Sequence, residues 1–96
     1  MGMGESKMMF PILTMGDSML PTMSKIGLTI SKKFSKYVIG DIIELETYDL
    51  KIHCHRVVKI DDKYVTTKGD NYPRSMDYEI DVPITKIKGK IIWSWP

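Results

Sequence analysis

Ser18 and the pair His53 and His55 are the residues whose types and spacing could do chemistry in this chain. Ser18 stands in MGDSMLPTM (15–23), and the histidines alternate with Cys54 in IHCHRVV (52–58). A serine hydroxyl is a poor nucleophile until a neighbouring base takes its proton. Gly16-Asp17-Ser18 therefore reads in two ways. It is either an ordinary turn, since Gly, Asp and Ser each favour turns, or a bend that presents Ser18 for attack. On a strand His53, His55 and Val57 project from one face, and Ile52, Cys54, Val58 and Ile60 form the opposite, apolar one. The histidines are then two partly exposed neighbours, a base, or part of a zinc site. Zinc needs a third protein ligand, and Cys54 points the wrong way to supply it, reading instead as a small core residue. No metal or cofactor is expected.

The elements that must position these residues are short and β-rich: Met9 to Thr14, Asp41 to Thr47, Lys51 to Ile60, Tyr64 to Thr67 and Ile84 to Trp93. Turn signals at 40–41, 61–62, 69–71 and 88–89 separate them, and Asp61-Asp62-Lys63 reads as a hairpin loop. The expected fold is a small, mainly antiparallel β domain, a sandwich or partly closed barrel, over residues 8–96. Residues 1–7 read as a flexible tail or a cloning remnant, although MGMGES also fits a myristoylation pattern at Gly2.

At 96 residues, 43% apolar and 27% charged, the chain suits one globular domain rather than a disordered segment. A net charge of +2 gives little case for nucleic acid as a partner. The lone Cys54 excludes an internal disulfide. No apolar run approaches the roughly 18–20 residues that cross a bilayer. Segment 24–40 carries Lys25, Lys32, Lys33 and Lys36 without an acid. It reads as a solvated loop or strand pair, or as a patch for anionic lipid head groups.

Taken together, MGDSMLPTM (15–23), GDIIELE (40–46), HRVVKI (55–60) and TTKGDNYPRSMD (66–77) resemble, in order, the four sequence blocks of the type I signal peptidases. The tail KIKGKIIWSWP (86–96) is similar to the mitochondrial inner-membrane branch. A histidine in the third block is instead a trait of the archaeal and endoplasmic-reticulum branch. The resemblance implies a serine endopeptidase that removes signal peptides from secreted or membrane proteins after small residues, in an Ala-x-Ala pattern. Ser18 is the implied nucleophile and His55 the general base, which needs no desolvation because histidine titrates near pH 6.5 in isolation. The implied acid behind His55 is Asp77, or else Asp70. The Ser18 N–H serves the oxyanion. Gly16 stands where many relatives place a second, hydroxyl donor.

Substrate, by the same resemblance, lies extended between the strand into the nucleophile and the strand into the base. Those segments hold Phe10, Ile12, Leu13, Thr14 and Met15 on one side, and Ile52, His53 and Cys54 on the other. The implied partners are signal-peptide-bearing preproteins and a membrane surface. Relatives carry a transmembrane anchor, and Met8, Met9, Phe10, Trp93 and Trp95 flank the places where one would join. The full-length protein is thus expected at a membrane with this domain on its outer face, and the chain as given is expected to be soluble. Two rival readings are a self-cleaving repressor-type protease domain and an inactive peptide-binding module of the same fold.

Overall fold

The computed structural model describes residues 12–95. Residues 1–7, Met8, Met9 and Phe10 lie outside the described residues. Seven strands follow in chain order: β1 (Ile12–Met15), β2 (Ile26–Lys32), β3 (Ile42–Glu46), β4 (Ile52–Ile60), β5 (Tyr64–Lys68), β6 (Val82–Pro83) and β7 (Ile87–Trp95). They form one antiparallel sheet in the order β1-β2-β7-β3-β4-β5-β6, curled into a half-barrel. The expected small antiparallel β fold is the one found, and no helix among the described residues is long and apolar enough to cross a membrane.

The strongest strands are those whose apolar residues alternate. Ile43 and Leu45 of β3 are fully buried beside Val57, Val65, Val82 and Ile87, and these six form the core. Tyr37, Ile60 and Ile84 pack against its margin. The β4–β5 hairpin turns through Asp61-Asp62-Lys63, as the sequence predicts. The Asp61 carboxylate accepts the N–H groups of Lys63 and Tyr64, each at 2.8 Å.

One expectation is narrowed to its strand alternative and another needs correction. Segment 24–40 contains β2, in which Ile26, Leu28 and Ile30 alternate with Gly27, Thr29 and Ser31. On β4 the buried row is His55 and Val57, whereas Ile52 is 58% exposed and Val58 38%. The cause is register. His55 pairs with Ile43 and His53 with Leu45, so the histidines share the core face of β3. A bulge between Val57 and Lys59 then resets the alternation and returns Ile60 to the core side.

Candidate active site

Strand β1 ends at Met15, and Gly16 adopts φ 125°, a conformation L side chains rarely take. Its N–H donates to the Lys25 carbonyl at 2.8 Å, which closes residues 17–24 into a loop at the head of the β1–β2 hairpin. Met19 and Met23 bury their side chains and fasten that loop. The Gly69-Asp70-Asn71 turn holds it from the other side. The Asn71 N–H donates to the Ser18 carbonyl at 2.8 Å, and the Asn71 amide donates to the Asp17 carbonyl at 2.9 Å. Ser18 is therefore gripped through its own backbone on both flanks.

Its hydroxyl lies 3.0 Å from His55 Nε2, and His55 Nδ1 lies 2.6 Å from Glu79 Oε1. An ionised carboxylate only accepts hydrogen bonds, so Nδ1 carries the imidazole proton and Nε2 is left to accept from Ser18. His55 is 3% exposed and Glu79 0%, so this part of the relay is dry. Glu79 is held on both oxygens. Oε1 also accepts from the Thr67 hydroxyl at 2.7 Å, and Oε2 accepts from the Met76 N–H at 2.8 Å. Burial pushes the Glu79 carboxyl up, but bonds from His55, Met76 and Thr67 outweigh it and leave its pKa lowered.

A carboxyl whose folded pKa is depressed adds stability above its unfolded pKa and loses it as pH falls through the folded value. Asp49, Asp61 and Asp70 are depressed in the same direction. The urea midpoint is therefore expected to hold level at neutral pH and to decline below about pH 4. Glu79→Gln should make that decline shallower, and an unchanged decline would show that the buried pair adds nothing to acid sensitivity.

The implied acids Asp77 and Asp70 do not occupy the place behind His55. Asp77 begins a 3₁₀ turn (Asp77–Glu79) and is exposed, while Glu79 at the end of that turn is directed inward. Asp70 is engaged by Arg56, whose Nε and Nη2 donate to its two oxygens at 2.9 and 2.8 Å. The Arg56 guanidinium, opposed by partial burial and helped by Thr22, holds the Asp70 carboxyl below the usual range. Thr22 donates to Asp70 at 2.5 Å, so the aspartate ties the Ser18 loop to β4. A carboxylate two residues beyond Asp77 in Tyr78-Glu79 was the available signal for the residue that sequence reasoning missed.

A cleft of about 440 Å³ opens at Ser18. Ile12, Leu13, Thr14 and Met15 wall it on one side, and Ile52, His53, Cys54 and His55 on the other. The two groups of substrate-binding candidates thus meet across one space, Phe10 lying outside the described residues. Gly16, Met19, Met23, Ser24 and Glu44 complete the lining beside Ser18, and none of these five was anticipated as a wall of the cleft. Cys54 is no core residue: it lines the cleft, with its thiol pushed up to about 12 by burial and secondarily by the Glu44 charge. His53 is less enclosed than His55. Its Nε2 meets Asp49 at 2.9 Å, and its ring stacks on Tyr78 with centroids 4.9 Å apart.

Both walls offer backbone that is unpaired among the described strands. Strand β1 is terminal among them and bonds only to β2. Pairing of β4 with β5 begins at Arg56 and Lys68, so Ile52–His55 bonds only to β3 among the described strands. Compared with protein-family models, curated proteins and solved structures, the chain matches none.

Proposed function

We propose that this chain is a serine endopeptidase of the signal-peptidase type, cutting N-terminal signal peptides from preproteins after small residues. The observation that carries the reading is the hydrogen-bonded series Ser18–His55–Glu79 at the head of a cleft between two strand edges that are unpaired among the described strands. A substrate strand between those edges gains main-chain hydrogen bonds, and only shallow recesses remain for its side chains. Ser18 Oγ attacks the scissile carbonyl carbon as its proton passes to His55 Nε2. Glu79 stabilises the imidazolium so formed. The Ser18 N–H faces the developing oxyanion, and Gly16 contributes no hydroxyl there. His55 then protonates the leaving amine as the C–N bond breaks, leaving an ester on Ser18. Water, deprotonated by His55, cleaves that ester and restores the serine.

Membrane contact belongs to the same reading. Cross-strand neighbours Leu13, Leu28 and Trp95 share one face with Met15 and Ile26, and Ile30 with Trp93 continues it. Leu13, Met15, Ile26, Trp93 and Trp95 are all exposed, between 44% and 74%. A tryptophan-bearing apolar face suits the lipid–water boundary. In a full-length protein it would set the cleft beside the bilayer that holds the signal peptide.

The direct test incubates the chain with a preprotein in detergent or vesicles and locates the cut by mass spectrometry. Cleavage after an Ala-x-Ala sequence, absent with Ser18→Ala, is expected. A chain that binds the preprotein but never cuts it would favour a peptide-binding module instead.

A further inference from the structure

Glu44 is the one carboxylate among the described residues that line the cleft. It stands on β3 directly opposite Cys54, so both side chains leave the sheet on the same face. One of its oxygens accepts the Ser31 hydroxyl at 2.7 Å. Among the described residues no cation lies within salt-bridge distance of it. The acids nearby are matched differently: Glu46 meets Lys88 at 3.4 Å, and Asp41 meets Lys90 at 3.1 Å. Its charge also reaches the cleft wall, where it helps to raise the Cys54 thiol.

A half-buried carboxylate that has, among the described residues, one hydroxyl donor and no counter-ion is incompletely compensated by them. Around it the cleft is of mixed character, and Ile12, Leu13 and Ile52 supply apolar surface within it. That combination matches a long basic side chain, whose methylene stem packs on apolar surface while its cationic head reaches an acid. Cys54, which Glu44 faces across the β3–β4 pair, precedes His55 on β4, so a substrate strand running parallel to β4 would carry residues on the N-terminal side of the cut past Glu44. We propose that Glu44 is a specificity-determining residue, selecting a lysine or arginine side chain on the N-terminal side of the cut. This rests on the reading of the cleft as a peptide-cleaving site, and it adds a charged selection to the small-residue preference of that reading.

The experiment separates binding from cutting. The 96-residue chain carrying Ser18→Ala is titrated with fluorescent peptides built on an Ala-x-Ala sequence, in which lysine is moved through each upstream position in turn. At one position lysine should bind about tenfold more tightly than alanine, the range for a charge-assisted contact in a partly dry site. Adding Glu44→Gln should erase that difference, and Glu44→Lys should shift the preference to glutamate at the same position. Equal affinities at every position, or a lysine preference that survives Glu44→Gln, would overturn the assignment. Cleavage by the unsubstituted chain is measured in parallel. Lysine-selective binding without any cutting keeps Glu44 as the selector and removes the protease reading, whereas cutting without lysine preference does the reverse.

Discussion

Ser18→Ala and His55→Ala are each expected to lower cleavage about 10⁶-fold, because members of such a relay act as a unit. Glu79→Gln is expected to lower it about 10⁴-fold, as when a triad acid becomes an amide. The glutamine can sit in two ways, and both fail. With its oxygen toward His55 and Thr67, its NH₂ faces the Met76 N–H, donor against donor, where Glu79 accepts at 2.8 Å. With its NH₂ toward His55, Nδ1 must accept, the imidazole proton moves to Nε2, and the Ser18 proton has nowhere to go. Asp77→Asn should leave the rate unchanged, since that side chain is exposed at the start of its turn. Far-UV circular dichroism and thermal unfolding establish that each variant is folded. A Glu79→Gln enzyme of normal rate, or an Asp77→Asn enzyme without activity, would restore the assignment implied by sequence.

The contrast between Ser18 and Glu79 shows what was legible in the sequence. Ser18 and His55 each sit within a few residues of distinctive neighbours, so local motifs suffice to single them out. Their 3.0 Å separation is nonetheless a property of the fold. Glu79 has no local mark. Its role comes from a one-turn 3₁₀ segment that exposes Asp77 and buries the third residue, a distinction invisible when two acids stand close together. The β4 bulge misled in a related way. Strict alternation placed Ile52, Cys54, Val58 and Ile60 inside, but register with β3 gives the core to His55 and Val57, and one extra residue at Val58 returns Ile60 to that side. In β2 the apolar alternation of Ile26, Leu28 and Ile30 was present, and the lysines around it obscured it. The antiparallel β class and five of the seven strands, all but β2 and β6, still follow from β-branched runs and turn residues, because those signals are short-range.

Gly69→Ala tests whether the turn that grips Ser18 matters to catalysis beyond stability. A Cβ at Gly69 would lie 2.7 Å from the Ser18 carbonyl oxygen, 3.1 Å from Ser18 Cβ and 3.2 Å from the Tyr72 ring. The first contact is with backbone that the Asn71 N–H already holds at 2.8 Å, so a side-chain rotation cannot relieve it. Either the 69–71 turn or the nucleophile loop must move. Overpacking of this kind costs about 1–3 kcal/mol. A displacement of about 1 Å at Ser18 would cost about 10²-fold in rate, because attack depends on near-contact alignment with His55. Ile87→Val serves as the comparison: it thins the core on β7 at a cost of about 0.5–1.5 kcal/mol and leaves the Ser18 loop untouched. With both variants assayed well below their melting temperatures, Gly69→Ala should lose kcat while Ile87→Val keeps it. If the two lose stability with no loss of kcat in either, the turn is a fold element alone. If only Gly69→Ala is slow, the Gly-Asp-Asn turn sets the position of the nucleophile, and its glycine is required because no side chain fits against the Ser18 carbonyl.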